Sequence, residues 1–193
     1  MKNYKILSLL WVALIAWTLA GCQNNNQPVE NNNTNVIIED VTTSNTDVIN
    51  YNDALVDVAG QCFSSEENIW TAYEDQNTTI DDIQSAINTT ISTCRETINN
   101  INALGDWEWD SSLKDGIVTI LEKDIEYYSK FSELLPFVDS TDELTEEQAA
   151  TYDEIVAQIN AIDDELSAAN ENLITIQETF AANHGYQLEN WEN

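Results

Sequence analysis

Apolar residues return every three or four positions over most of this chain, and the breaks in that rhythm divide it into helices. From Asp47 onward Val48, Tyr51, Leu55, Ala59, Cys62, Ile69 and Tyr73 fall on one face, with a single gap. Asp75 to Thr79 is polar and reads as a turn. Ile80, Ile83, Ile87, Ile91, Cys94, Ile98 and Ile101 form the next stripe, which Gly105 closes. Thr79 followed by Asp82 resembles a capping box, and Asp81 and Asp82 suit the positive end of a helix dipole. A third helix is predicted from about Ser111 to Leu135, with Leu113, Ile117, Ile120, Leu121, Tyr128, Phe131 and Leu135 on its face, and Pro136 is expected to end or kink it. Asp139 to Leu144 reads as an acidic linker.

The last helix has the cleanest spacing. Thr145 and Gln148 make a second capping box, and from Tyr152 the residues Ile155, Ile159, Ile162, Leu166, Ala169, Leu173, Ile176 and Phe180 recur in alternating threes and fours, the mark of a heptad seam. Gly185 terminates it, after which Tyr186, Leu188 and Trp191 can fold back as a lid. Four stripes joined by short connections predict an all-α, antiparallel up-down-up-down four-helix bundle. The second helix, rich in Ile, Thr, Asn and Ser, is a weak helix former and needs its neighbours.

The N-terminal pattern is different. Lys2 and Lys5 precede an apolar run of about 14 residues, Ile6 to Leu19, which is short of the roughly 20 needed to span a bilayer. Leu19-Ala20-Gly21-Cys22 then reads as a lipobox: an export signal over 1–21, cleavage between Gly21 and Cys22, and lipidation of Cys22. Retention of the run as an uncleaved anchor is the alternative. Several acyl chains on one cysteine hold a protein stably where a single chain would not. Gln23 to Asn35, nearly all Asn and Gln, cannot bury enough apolar surface to order itself. Residues 22–45 therefore read as a lipidated, disordered tether of roughly 27 Å typical reach, and 46–193 as the bundle domain. The expected location is the cell envelope, at the outer membrane or cell surface where a cell has two membranes.

Charge narrows the partners. Without residues 1–21 the chain keeps four basic residues (Arg95, Lys114, Lys123 and Lys130) against 35 acidic ones, a formal −31. Nucleic acid is excluded, because phosphate contacts demand a basic surface. The acids suit either a solvated face adapted to salt or a surface that captures cationic partners.

With Cys22 assigned to the lipobox, Cys62 and Cys94 remain, on the inward stripes of consecutive helices and equidistant from the predicted turn. In an oxidising compartment they can close a disulfide stabilising by roughly 3 to 4 kcal/mol, or pack as buried free thiols. Motifs for chemistry are missing. Position 181, three before the sole histidine His184, is alanine and not the glutamate of a di-iron pair. The sole methionine is Met1, no Cys-x-x-Cys occurs, and five scattered glycines form no phosphate loop. Asp106, Glu108 and Asp110 alternate like the opening of a calcium loop, but Ser111 and Ile117 stand where its glycine and glutamate belong. No catalytic residue, metal set or cofactor is expected. Trp107, Trp109 and Trp191 are expected together at the membrane-proximal end, as an aromatic plug or as a contact patch for a partner or the lipid interface.

Tyr51-Asn52-Asp53 opening the first helix, Leu144-Thr145-Glu146-Glu147 opening the last, and Gln177, Phe180, Ala181, Gly185 and Leu188 closing it resemble a family of bacterial surface lipoproteins of the spirochaete type. The resemblance covers roughly residues 48–188. It implies a helical surface lipoprotein, with no catalytic residues and without the Cys62–Cys94 pair in its pattern. The function expected is that of a lipid-anchored envelope protein, a non-enzymatic binding or structural module. Two alternatives are a sequestering protein for cationic peptides or proteins and a carrier of a small apolar ligand between the helices.

Overall fold

The computed structural model describes residues 45–75, 77–138, 143–186 and 188. The signal segment, Gly21, Cys22, nearly all of the tether and Trp191 lie outside them. The described chain is an all-α, antiparallel four-helix bundle of α1 (Asn45–Glu74), α2 (Ile80–Leu104), α3 (Ser112–Val138) and α4 (Glu146–His184), with no strand among the described residues. No helix among them is long and apolar enough to cross a membrane.

The helix starts follow local chemistry. Thr79 and Asp82 close a reciprocal capping box on α2, and Thr145 and Gln148 close one on α4. Each satisfies two backbone donors that the first turn would otherwise leave orphaned. Gly185 ends α4 in the left-handed conformation that glycine adopts without a side-chain clash. Pro136 neither ends α3 nor stops it early: the helix continues through it to Val138. A proline removes a bond to the carbonyl four residues earlier, and so near the helix end that loss is small.

Register can be read from pairs of residues across each hairpin. Cys62 and Cys94 are joined as a disulfide with Cα atoms 4.6 Å apart. The Thr90 hydroxyl donates to the Ser65 carbonyl at 2.9 Å, and the Tyr51 hydroxyl donates to the Gly105 carbonyl at 2.8 Å. The Cys62/Cys94 and Tyr51/Gly105 pairs are symmetric about Thr78 and the Ser65/Thr90 pair falls between Asn77 and Thr78, so α1 and α2 run antiparallel in one register. Between α3 and α4, Lys123 pairs with Glu165 and Phe137 meets Tyr152 with ring centroids 6.0 Å apart, both centred on Leu144 and Thr145 just before α4. Gly116 permits the close approach of these two helices. A Cβ there would stand 3.0 Å from Leu173 Cδ1 and 3.1 Å from Ile176 Cδ1.

The packing is not square in section. α1 lies chiefly on α2, α2 on α3 and α3 on α4, while α1 also touches α3 across the diagonal, as Trp70 against Phe131 shows. On α2 the buried residues are Ile83, Ile87, Thr90, Cys94, Thr97 and Ile101, alternating fours and threes. Thr90 and Thr97 are thus deeper than Ile91 and Ile98, which only pack against the core margin. The stripe is rotated by one residue from the isoleucine pattern, which moves α2 toward a strict heptad face.

Candidate functional site

The gap in the α1 stripe and a matching gap in the α3 stripe are filled by acids. On α1, Glu66 stands between Cys62 and Ile69. On α3, Asp124 stands between Leu121 and Tyr128. Helical spacing turns both onto the core face. Glu66 is 3 % exposed and Asp124 2 %. Their carboxyl oxygens and Cys62 Sγ all lie within 4.8 Å of one another.

Nothing basic accompanies them: among the described residues neither acid takes part in an ion pair, and Lys114, Lys123 and Lys130 engage acids near the surface. Glu66 Oε1 and Asp124 Oδ2 accept no hydrogen bond, and the neighbouring Tyr127 and Tyr128 hydroxyls, equally buried, have no partner either. The Tyr128 hydroxyl is close enough to Glu66 to influence its ionisation but does not form a hydrogen bond of good geometry. Burial, and then the charge of Asp124, holds the Glu66 carboxyl far above the usual carboxylate range; burial raises Asp124 as well. At neutral pH this pair keeps at least one proton in the absence of any other counter-charge. Burial also pushes both phenols up, helped by Asp163 at Tyr127 and by Glu66 at Tyr128, so they stay protonated donors.

Reading the sequence by its apolar face alone misses this centre. The signal that could have found it was present as charged residues standing at core positions of two separate stripes. Charges there are rare unless paired or ligated.

The tryptophan end is a separate feature. The α2–α3 connection, the start of α1 and the end of α4 meet there. Trp107 packs on Tyr51 with ring centroids 5.5 Å apart and on His184 at 6.4 Å, and Trp109 lies 6.1 Å from His184. His184 also stacks on Phe180 at 4.4 Å, and its Nε2 lies 3.2 Å from Asp110 Oδ2. The histidine therefore ties the end of α4 to the connection through Asp110. Burial would raise Asp110, but hydrogen bonds from Ser112 and the contact with His184 hold it below its ordinary value. Asp106 turns to Lys114 instead. Asp106 and Asp110 of this connection thus face different partners.

Tyr186 folds back and is buried, its N–H donating to the Ala181 carbonyl at 3.1 Å, and Leu188 packs against the core margin. Trp107 is half-buried whereas Trp109 is 78 % exposed. The two tryptophans therefore divide the roles of plug and open surface. Trp109→Ser is expected to leave the melting temperature within the spread of a surface substitution, about 0.5 kcal/mol, while Trp107→Ala costs about 2 kcal/mol or more. Thermal unfolding of both variants checks this, and equal losses would contradict it.

No family model, curated protein or solved structure matches the chain.

Proposed function

We propose that this protein is a lipid-anchored component of the bacterial cell envelope that acts as a non-enzymatic binding or structural module. The observation that carries this reading is the conjunction of a lipobox at Cys22 with a disulfide inside the bundle. Disulfides persist in oxidising compartments outside the cytoplasm, which is where a lipobox sends its cargo. Two independent parts of the chain thus point to the same side of the membrane. The resemblance to helical surface lipoproteins agrees with the first of them.

On this reading the acyl chains on Cys22 hold the protein at the bilayer, and residues 22–45 carry the bundle away from it. The bundle offers a rigid rod of about 58 Å along α4, at 1.5 Å for each of its 39 residues. Its working surface is acidic. Lys114, Lys123 and Lys130 are already engaged by Asp106, Glu165 and Glu133, so the exposed charge left over is predominantly negative. An anionic lipid surface would repel such a domain, which makes a covalent anchor the sensible means of holding it there.

The test is metabolic labelling with a clickable fatty acid in a bacterium that processes lipoproteins. The wild-type chain is expected to carry the label, to lose residues 1–21 and to sediment with membranes. Cys22→Ser is expected to be unlabelled. An exported wild-type chain that retains its signal segment and a free Cys22 thiol would overturn the reading.

A further inference from the structure

The acidic pair in the core asks for a partner that the chain does not provide. Buried polar atoms in folded proteins are nearly always satisfied, and buried charges are paired or bind metal. Here Glu66 Oε1, Asp124 Oδ2 and the Tyr127 and Tyr128 hydroxyls are all without partners. Tyr127 and Tyr128 are 2 % and 1 % exposed. On α3, Tyr127 and Tyr128 stand three and four residues after Asp124, one helical turn along the same side, and the Glu66 and Asp124 carboxyl oxygens meet within 4.8 Å between α1 and α3.

We propose that Glu66 and Asp124, flanked by the Tyr127 and Tyr128 hydroxyls, form a buried binding site for one hard divalent cation of the calcium or manganese kind. Three features of the centre support this assignment. Spacing is the first: oxygens that share an ion at roughly 2.2 to 2.5 Å lie no more than about 5 Å apart, and the carboxyl oxygens here meet that limit. Charge balance is the second, since two carboxylates in a low-dielectric interior are neutralised by one doubly charged ion. Donor chemistry is the third. The Cys62 sulfur is committed to Cys94, so no thiolate is on offer and the available donors are oxygens. Oxygen donors favour hard ions over zinc or copper. The phenol oxygens would complete the coordination as neutral ligands.

Protons and the cation compete for this centre. The groups beside Glu66 and Asp124 are Cys62 on α1, bonded to Cys94 of α2, and Tyr127 and Tyr128 on α3, while Asp163 on α4 acts on the Tyr127 hydroxyl. None of them is a cation. Binding must therefore displace the protons that the carboxyls hold, and affinity is expected to rise with pH, by up to about 100-fold per pH unit where both protons leave.

The experiment uses the full-length chain in detergent, stripped with chelator, in buffered potassium chloride that saturates weak surface sites. Terbium(III) is the probe, because the excited tyrosines would transfer energy to an ion bound beside them, and calcium and manganese are the competitors. One saturable terbium site per chain is expected, with sensitised emission that either competitor quenches. Glu66→Gln/Asp124→Asn should weaken that site at least 100-fold, while Asp153→Asn/Glu154→Gln on the exposed face of α4 should leave it unchanged. Circular dichroism establishes that each variant is folded, and Glu66→Gln alone, with an expected loss of at least tenfold, serves if the double variant is not. A core variant that binds terbium as the wild type does would place the ions on the acidic surface and overturn the proposal. So would a wild type with no saturable site.

Discussion

A C62A/C94A variant is expected to melt on the order of 10 °C below the wild type. The cross-link spans a sequence separation of 32 residues, and closing a loop of that length removes unfolded-state entropy equivalent to roughly 3 to 4 kcal/mol. In a domain of this size each kcal/mol shifts the midpoint by about 2 to 4 °C. The effect falls mainly on α2, whose threonines, asparagines and serines give it little intrinsic helicity. Calorimetry on the variant, and on wild-type protein reduced under mild denaturant, checks the expectation. Both samples should shift together. Midpoints within about 2 °C of the oxidised wild type would show that the cross-link contributes little beyond the packing of its two sulfurs.

Replacing Glu66 by glutamine in the presence of chelator is expected to reverse its effect on stability across the pH range. The Glu66 carboxyl is raised in the folded chain by burial and by Asp124. At low pH it is protonated in folded and unfolded chains alike and contributes no pH dependence. As pH rises past the ordinary carboxyl value of 4.5, the unfolded chain releases a proton that the folded chain keeps. Stability therefore falls with rising pH, by up to about 1.4 kcal/mol per unit for each such group, until the folded carboxyl itself ionises above neutrality. Asp124, raised by burial, adds a second contribution of the same sign. The Glu66→Gln variant should match the wild type or fall slightly below it at pH 4, and exceed it by on the order of 3 kcal/mol at pH 8. Urea unfolding at the two pH values measures the difference. A variant less stable than the wild type at both would show that the carboxyl is held in a favourable arrangement, contrary to its unpartnered geometry.

Much of the architecture was legible in the chain because a helix exposes its periodicity directly. Ile80 opens α2 and Gly105 caps it in the pattern and in the structure alike. Thr145, Gln148 and Gly185 bracket α4 as their chemistry requires. Pro136 misled because its effect depends on its position: deep in a helix it breaks the ladder, but here only two residues follow it. The isoleucines of α2 misled slightly as well. The deepest positions include Thr90 and Thr97, and a threonine is placed there by what packs across from it.

The buried acids were the larger omission. Glu66 and Asp124 appeared only as interruptions of two apolar stripes, one on α1 and one on α3. Each stripe names the face that turns inward without naming what stands opposite. The diagonal contact of α1 with α3 brings the two interruptions together.

The linear pattern alone determined the order of the four described helices, the capped starts of α2 and α4 and, to within about one residue on α2, the faces they bury, because those depend on neighbours three and four positions away. The antiparallel level of Cys62 and Cys94 also follows from it, being set by a short turn. Only the tertiary structure decided that α1 approaches α3 across the bundle, that His184 meets Asp110 while Trp109 stays exposed, and that two carboxyls share one interior point. Those juxtapositions join residues far apart in the chain. They arise from the mutual rotation and tilt of whole helices, which side-chain packing selects and local spacing does not encode.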